Sequence, residues 1–154
     1  VFGVLLSFMA GESYLMEARP NWCSQLLPLG YLLTAVPEGI AAYLVVVAAK
    51  AKDADVAPYG RALLIGGVLG AAGAAAYVLW AGPADGVQWA LLAVAVIGAG
   101  VVPAVCGALV GKNPGSLMAA AGGSVACAFV GAVSYRCIMW LITVPIANLF
   151  LNVL

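Results

Sequence analysis

The chain has 154 residues, of which 66% are hydrophobic and 8% charged, with a mean hydropathy of +1.13. An ordinary soluble domain is about half apolar and about a quarter charged, so the composition excludes a soluble globular protein and describes an all-α, polytopic transmembrane helix bundle. Six Lys and Arg balance six Asp and Glu, with no histidine, which leaves no basic field for nucleic acid.

A spanning helix needs about 20 mostly apolar residues. By that ruler the first segment, Val1 to about Met16, is several residues short and reads as the tail of a truncated span. It opens on valine with no charged n-region and does not read as a signal peptide. A polar loop follows, with Arg19, Pro20 and Trp22. The second segment, residues 25 to 50, has 26 residues, a rise of about 39 Å, and carries Pro37 and Glu38 side by side.

Lys52, Asp53, Asp55 and Pro58 form the next polar connection. The third segment, from about Gly60 to Ala81, repeats Gly66, Gly67, Gly70 and Gly73 at the spacing that close helix packing in lipid favours. The fourth, from about Val87 to Val110, holds Trp89 at its start, Pro103 inside, and Gly98, Gly100 and Gly107. After the tight loop at Gly111 to Gly115, a fifth segment begins near Ser116. It is expected to run to about Val144, where Pro145 breaks it, the remaining residues lying along the membrane surface or a protein groove. The expectation is thus one domain, residues 1–154, of about five spans.

Basic residues orient the bundle. Lys50, Lys52, Arg61 and Lys112 fall on one side, and Arg19 and Arg136 on the other. The positive-inside rule makes the Lys50 side cytoplasmic and puts the Trp22 loop outside.

Chemistry in such a chain concentrates at its few intramembrane polar groups. Glu38 lies about a dozen residues inside the second segment, ~18–20 Å deep and near the bilayer centre. There it is either a proton-relay or quinone-pocket acid or a neutral acid bonded to a neighbouring helix; Pro37 frees a backbone carbonyl one turn earlier. Arg136, 20 residues beyond Ser116, lies ~30 Å along the helix, at the outer interface. It is either a snorkelling helix-end arginine or, with Tyr135, a group that orients a quinone carbonyl or stabilises its anion. Glu12 and Tyr14 are expected at the same level, which allows a pairing of Arg136 with Glu12 or Glu17. Trp22, Trp80, Trp89 and Trp140 read as interfacial anchors.

Cys23, Cys106, Cys127 and Cys137 form no CxxC or Cys/His cluster. They read as small apolar residues, Cys23 as a loop thiol. No phosphate loop, nucleophile elbow or HExxH is present, so no metal or covalently bound cofactor is expected in this chain.

Around the polar loop, Tyr14, Arg19, Pro20, Trp22, Pro28, Leu29, Tyr31, Leu33 and Thr34 resemble a pattern of the membrane-anchor subunit family of dimethyl-sulfoxide reductases. There a tyrosine-containing span end is followed by an R-P-x-W loop and a helix opening near P-L-x-F/Y-x-L-T. Val130 to Trp140, VGAVSYRCIMW, is similar to the last helix of that family. The resemblance implies the second half of an eight-span protein of the prokaryotic cytoplasmic membrane. It implies a subunit that anchors a molybdopterin catalytic subunit and an iron–sulfur electron-transfer subunit, and passes them electrons from menaquinol. The family's principal quinol histidine has no counterpart here. Two other readings stand beside it: a small transporter or channel subunit using Glu38 at a broken helix, and a purely structural bundle.

Overall fold

The structure is a computed structural model and describes residues 2–15, 17, 20–50, 55–112 and 114–142. Among these residues it is a helical bundle without strands. Helix α1 covers Phe2–Glu12, α2 Leu26–Lys50 and α3 Ala57–Ala81. Helix α4, Gly86–Val96, continues through a π-helical turn, Ile97–Val101, into α5, Val102–Lys112; α6 covers Leu117–Leu141. Four stretches of 25 residues are long and apolar enough to cross a membrane: Leu26–Lys50, Ala57–Ala81, Gly86–Val110 and Leu117–Leu141. Each rises about 37 Å. The chain is a multi-pass membrane protein, because in hydrocarbon only a helix satisfies its own backbone polar groups. Phe2, Leu6, Met9, Val68, Leu79 and Phe129 stand exposed on the outside, where lipid tails are their natural surroundings.

Two expected boundaries shift, and the proline inside the fourth span is accommodated by a local change of helix. Helix α3 starts at Ala57, not near Gly60, because Pro58 falls in the first turn, where a missing N–H costs nothing. Pro103 does not end the fourth span. Val102 donates its N–H to Ile97 O, five residues back, and the wider π turn makes room for the proline ring that would collide with the carbonyl four residues earlier. Helix α6 ends at Leu141 rather than Val144; Pro145 and the last residues lie outside the described ones.

Along the membrane normal the bundle has three layers. At the Trp22 end a core of large side chains gathers Trp22, Leu27, Tyr31, Tyr77, Tyr135 and Met139. At the Lys50 end an aliphatic core holds Leu44, Leu63, Val110 and Leu117. Between them is a waist of small residues where backbones touch. A Cβ added at Gly67 would lie 2.5 Å from Ala104 N and 2.6 Å from Gly100 O, and one at Gly98 would lie 2.5 Å from Cys127 O. The glycines of α3 and of the π turn therefore serve the close approach that drives helix association where no hydrophobic effect is available.

Candidate functional site

The residues that carry polar chemistry converge at the Trp22 end. The last carbonyls of α6 have no partner within the helix, and three side chains from elsewhere supply donors. Trp22 Nε1 donates to Met139 O at 3.1 Å, Asn21 Nδ2 to Ile142 O at 2.8 Å, and Gln88 Nε2 to Leu141 O at 3.2 Å. Gln88 is itself fixed: its Oε1 accepts from Ala84 N, and its backbone N–H donates to Asp85 Oδ1, the N-cap of α4. The Tyr77 hydroxyl closes the network by donating to Asn21 O at 2.9 Å. The short helical turn Pro20–Trp22 is thus a plug over the end of α6. Tyr77→Phe, which removes one donor and leaves the ring, is expected to lower stability by about 1 kcal/mol. Unfolding in a denaturing-detergent titration measures it, and an unchanged midpoint would remove this hydroxyl from the clamp.

Trp22 corrects one expectation. It is not an interfacial anchor but is 2% exposed, held edge-on to Trp140 with ring centroids 4.9 Å apart and to Tyr14 at 5.6 Å. Its indole N–H is turned inward because α6 leaves carbonyls to be capped there. Trp80, Trp89 and Trp140 do stand exposed near helix ends, as anchors should.

Below the plug lies an aromatic layer. Tyr14 stacks on Tyr31 at 5.9 Å, Tyr31 meets Tyr135 edge-on at 5.8 Å, and Tyr135 meets Tyr77 at 5.7 Å. The Tyr135 hydroxyl donates to Leu27 O at 3.2 Å, in space left by the missing Cβ of Gly30. Tyr135 is 1% exposed, so its phenol ties α6 to α2. Arg136, one residue on, is exposed, and its guanidinium lies over the Tyr31 ring, 4.9 Å from the centroid. It stands five residues before the end of α6, about 7.5 Å inside it. Among the described residues its partner is this ring and not Glu12 or Glu17, because the face of α6 it occupies turns it onto α2. Such a cation over a ring is strongest where water is scarce.

The structure thus brings Tyr14, Trp22, Tyr135 and Arg136 together, with Glu12 half-buried at the end of α1 nearby. Arg19 lies outside the described residues. Glu38 stands apart: it is half-buried at the thirteenth position of α2, seven residues or about 10 Å along the axis from Tyr31. Tyr31 as the partner of Arg136, and Asn21, Tyr77 and Gln88 as clamp residues, are new. Their only sequence signal is a polar group placed near a span end. Among the described residues no group of three or more His, Cys, Asp or Glu side chains gathers as a metal site. No protein-family model, curated protein or solved structure matches the chain.

Proposed function

We propose that this chain is the membrane-anchor subunit of a quinol-dependent reductase complex of the prokaryotic cytoplasmic membrane. In this reading it holds an iron–sulfur electron-transfer subunit and a molybdopterin catalytic subunit, and presents menaquinol to them. One observation carries the reading: Arg136 over Tyr31, with Tyr14 stacked beyond it, at a lipid-accessible end of the bundle. A quinol ring needs a flat aromatic neighbour and a cation or donor for its oxygen; Tyr31 is itself buried beneath Arg136, and the ring this corner turns outward is Trp140, half-exposed and one helical turn from the exposed Arg136. Arg136 favours the deprotonated oxygen as oxidation begins. Two electrons leave to the iron–sulfur partner and two protons leave toward the adjacent membrane face, which the charge asymmetry makes the outer one. Glu12, at that same end, is the acid placed to receive them. Tyr135, occupied on Leu27 O, keeps the helices in place.

The waist argues against a pore on the bundle axis, since backbone already fills it at Gly67, Gly98 and Gly100. In this reading Glu38 takes no part in quinol oxidation. The test is mild-detergent isolation with iron and molybdenum assayed on the eluate, followed by quinol oxidation. Arg136→Gln is expected to lower kcat/KM roughly 10²-fold, the usual loss for one preorganised charged donor, whereas Glu38→Gln leaves it unchanged. A protein that arrives without larger partners, and whose Glu38→Gln variant loses solute flux in vesicles, would be a transporter instead.

A further inference from the structure

Glu38 is the middle residue of its 25-residue span, so it stands about 18 Å from either end, at the centre of the hydrocarbon. It is half-buried, and its carboxyl makes no hydrogen bond or ion pair with any described residue. Ionised, it is costly at that depth. Neutral, it still carries an O–H donor and a carbonyl acceptor, which lipid tails leave unmet. Its partner has to come from beyond the described residues.

From Glu38 toward the Lys50 end, one side of α2 is bare. Helix α1 runs antiparallel to α2, and the contact of Gly11 with Pro28 puts Phe2 about level with Pro37, so no described part of α1 reaches past Glu38. Beyond it Ala42, Val46 and Ala49 stand exposed. With Glu38 they follow at steps of four, four and three residues, which lines them up as one ridge with the spacing of a two-helix seam. Two of the four are alanines, small enough to let backbones come close in lipid.

We propose that this ridge of α2 seats the same ridge of a second copy of the chain, with the two Glu38 side chains paired as neutral acids. Each O–H donates to the carbonyl oxygen of the other, so both acids are satisfied and no charge is left in the hydrocarbon. A two-fold axis along the membrane normal sets every residue opposite its counterpart at equal depth. Glu38 thereby gains a self-complementary partner, where a different protein would have to carry a matching group at the bilayer centre. Ala42 and Ala49 allow the close approach that the paired acids need. The pairing is independent of the quinol reading, whose corner lies at the Trp22 end.

The test is cysteine crosslinking of the full chain in its native membrane, with the four native cysteines replaced by alanine. Val46→Cys, oxidised with copper phenanthroline, is expected to give a disulfide-linked dimer on a non-reducing gel. Val68→Cys, similarly exposed but on α3, is expected to give none. Adding Glu38→Leu removes the acid and suits lipid; it should cut the dimer roughly tenfold, the effect of an interhelical hydrogen bond in a membrane. Glu38→Gln still donates and accepts and should keep it. Ala42→Leu, which holds the backbones apart, should lose it independently of the acid. Helix content of the purified variants separates lost pairing from misfolding. Val46→Cys that links no more than Val68→Cys, or a dimer undiminished by both Glu38→Leu and Ala42→Leu, would overturn the proposal. So would a crosslink from Val46→Cys to a different protein, which would make this ridge the seat of another subunit.

Discussion

Trp22→Ala is expected to destabilise the protein by about 3–5 kcal/mol, the range for deleting a large buried aromatic ring. The ring is almost fully enclosed among Tyr14, Trp140 and the end of α6. Its loss leaves a cavity, and Met139 O loses its donor, which costs a buried carbonyl about 1–3 kcal/mol unless water reaches it. Trp22→Phe separates the two effects, since it keeps most of the volume and removes the N–H; a loss of about 1–2 kcal/mol is expected. Helix content followed through a denaturing-detergent titration measures both. A change below about 1 kcal/mol for Trp22→Ala would mean that the plug contributes little to the bundle.

Gly131→Leu is expected to be at least as damaging, above about 3 kcal/mol, the upper end for overpacked sites. A side chain at Gly131 would run into the backbone of Gly98 and Ala99 in the π turn. Backbone cannot rotate aside as a side chain can, so α6 would have to leave the α4–α5 span. Gly123→Leu is the control. It lies eight residues earlier on the same helix but faces open space, and should change stability by less than about 0.5 kcal/mol. If both variants unfold alike, the waist is not a site of close packing. If only Gly131→Leu unfolds, small residues at the π turn hold the spans together.

These two sites differ in how far the sequence announces them. Gly131 belongs to a helix rich in small residues, and nothing local says which of Gly122, Gly123 and Gly131 meets a neighbour. Only Gly131 does, because the crossing of α6 with the π turn falls at that level. Trp22 reads locally as an interfacial anchor, and its true role depends on carbonyls 117 residues away. Likewise Arg136 and Tyr135 are visible as an arginine and a tyrosine near a span end. The ring under the arginine comes from α2, and the acceptor of the phenol is Leu27 O.

By itself the sequence determined the spans, their order, the depth of Glu38 and the charge asymmetry between the two ends. In lipid each helix must satisfy its own backbone, so length and hydropathy suffice to find it. The tertiary structure alone decided what each polar group near a helix end does. The plug of Asn21 and Trp22, the cation over Tyr31 and the π turn that absorbs Pro103 all arise where different helices meet. Side-chain donors are recruited by whichever carbonyls lack partners, and α6 and the plug that caps it lie at opposite ends of the chain.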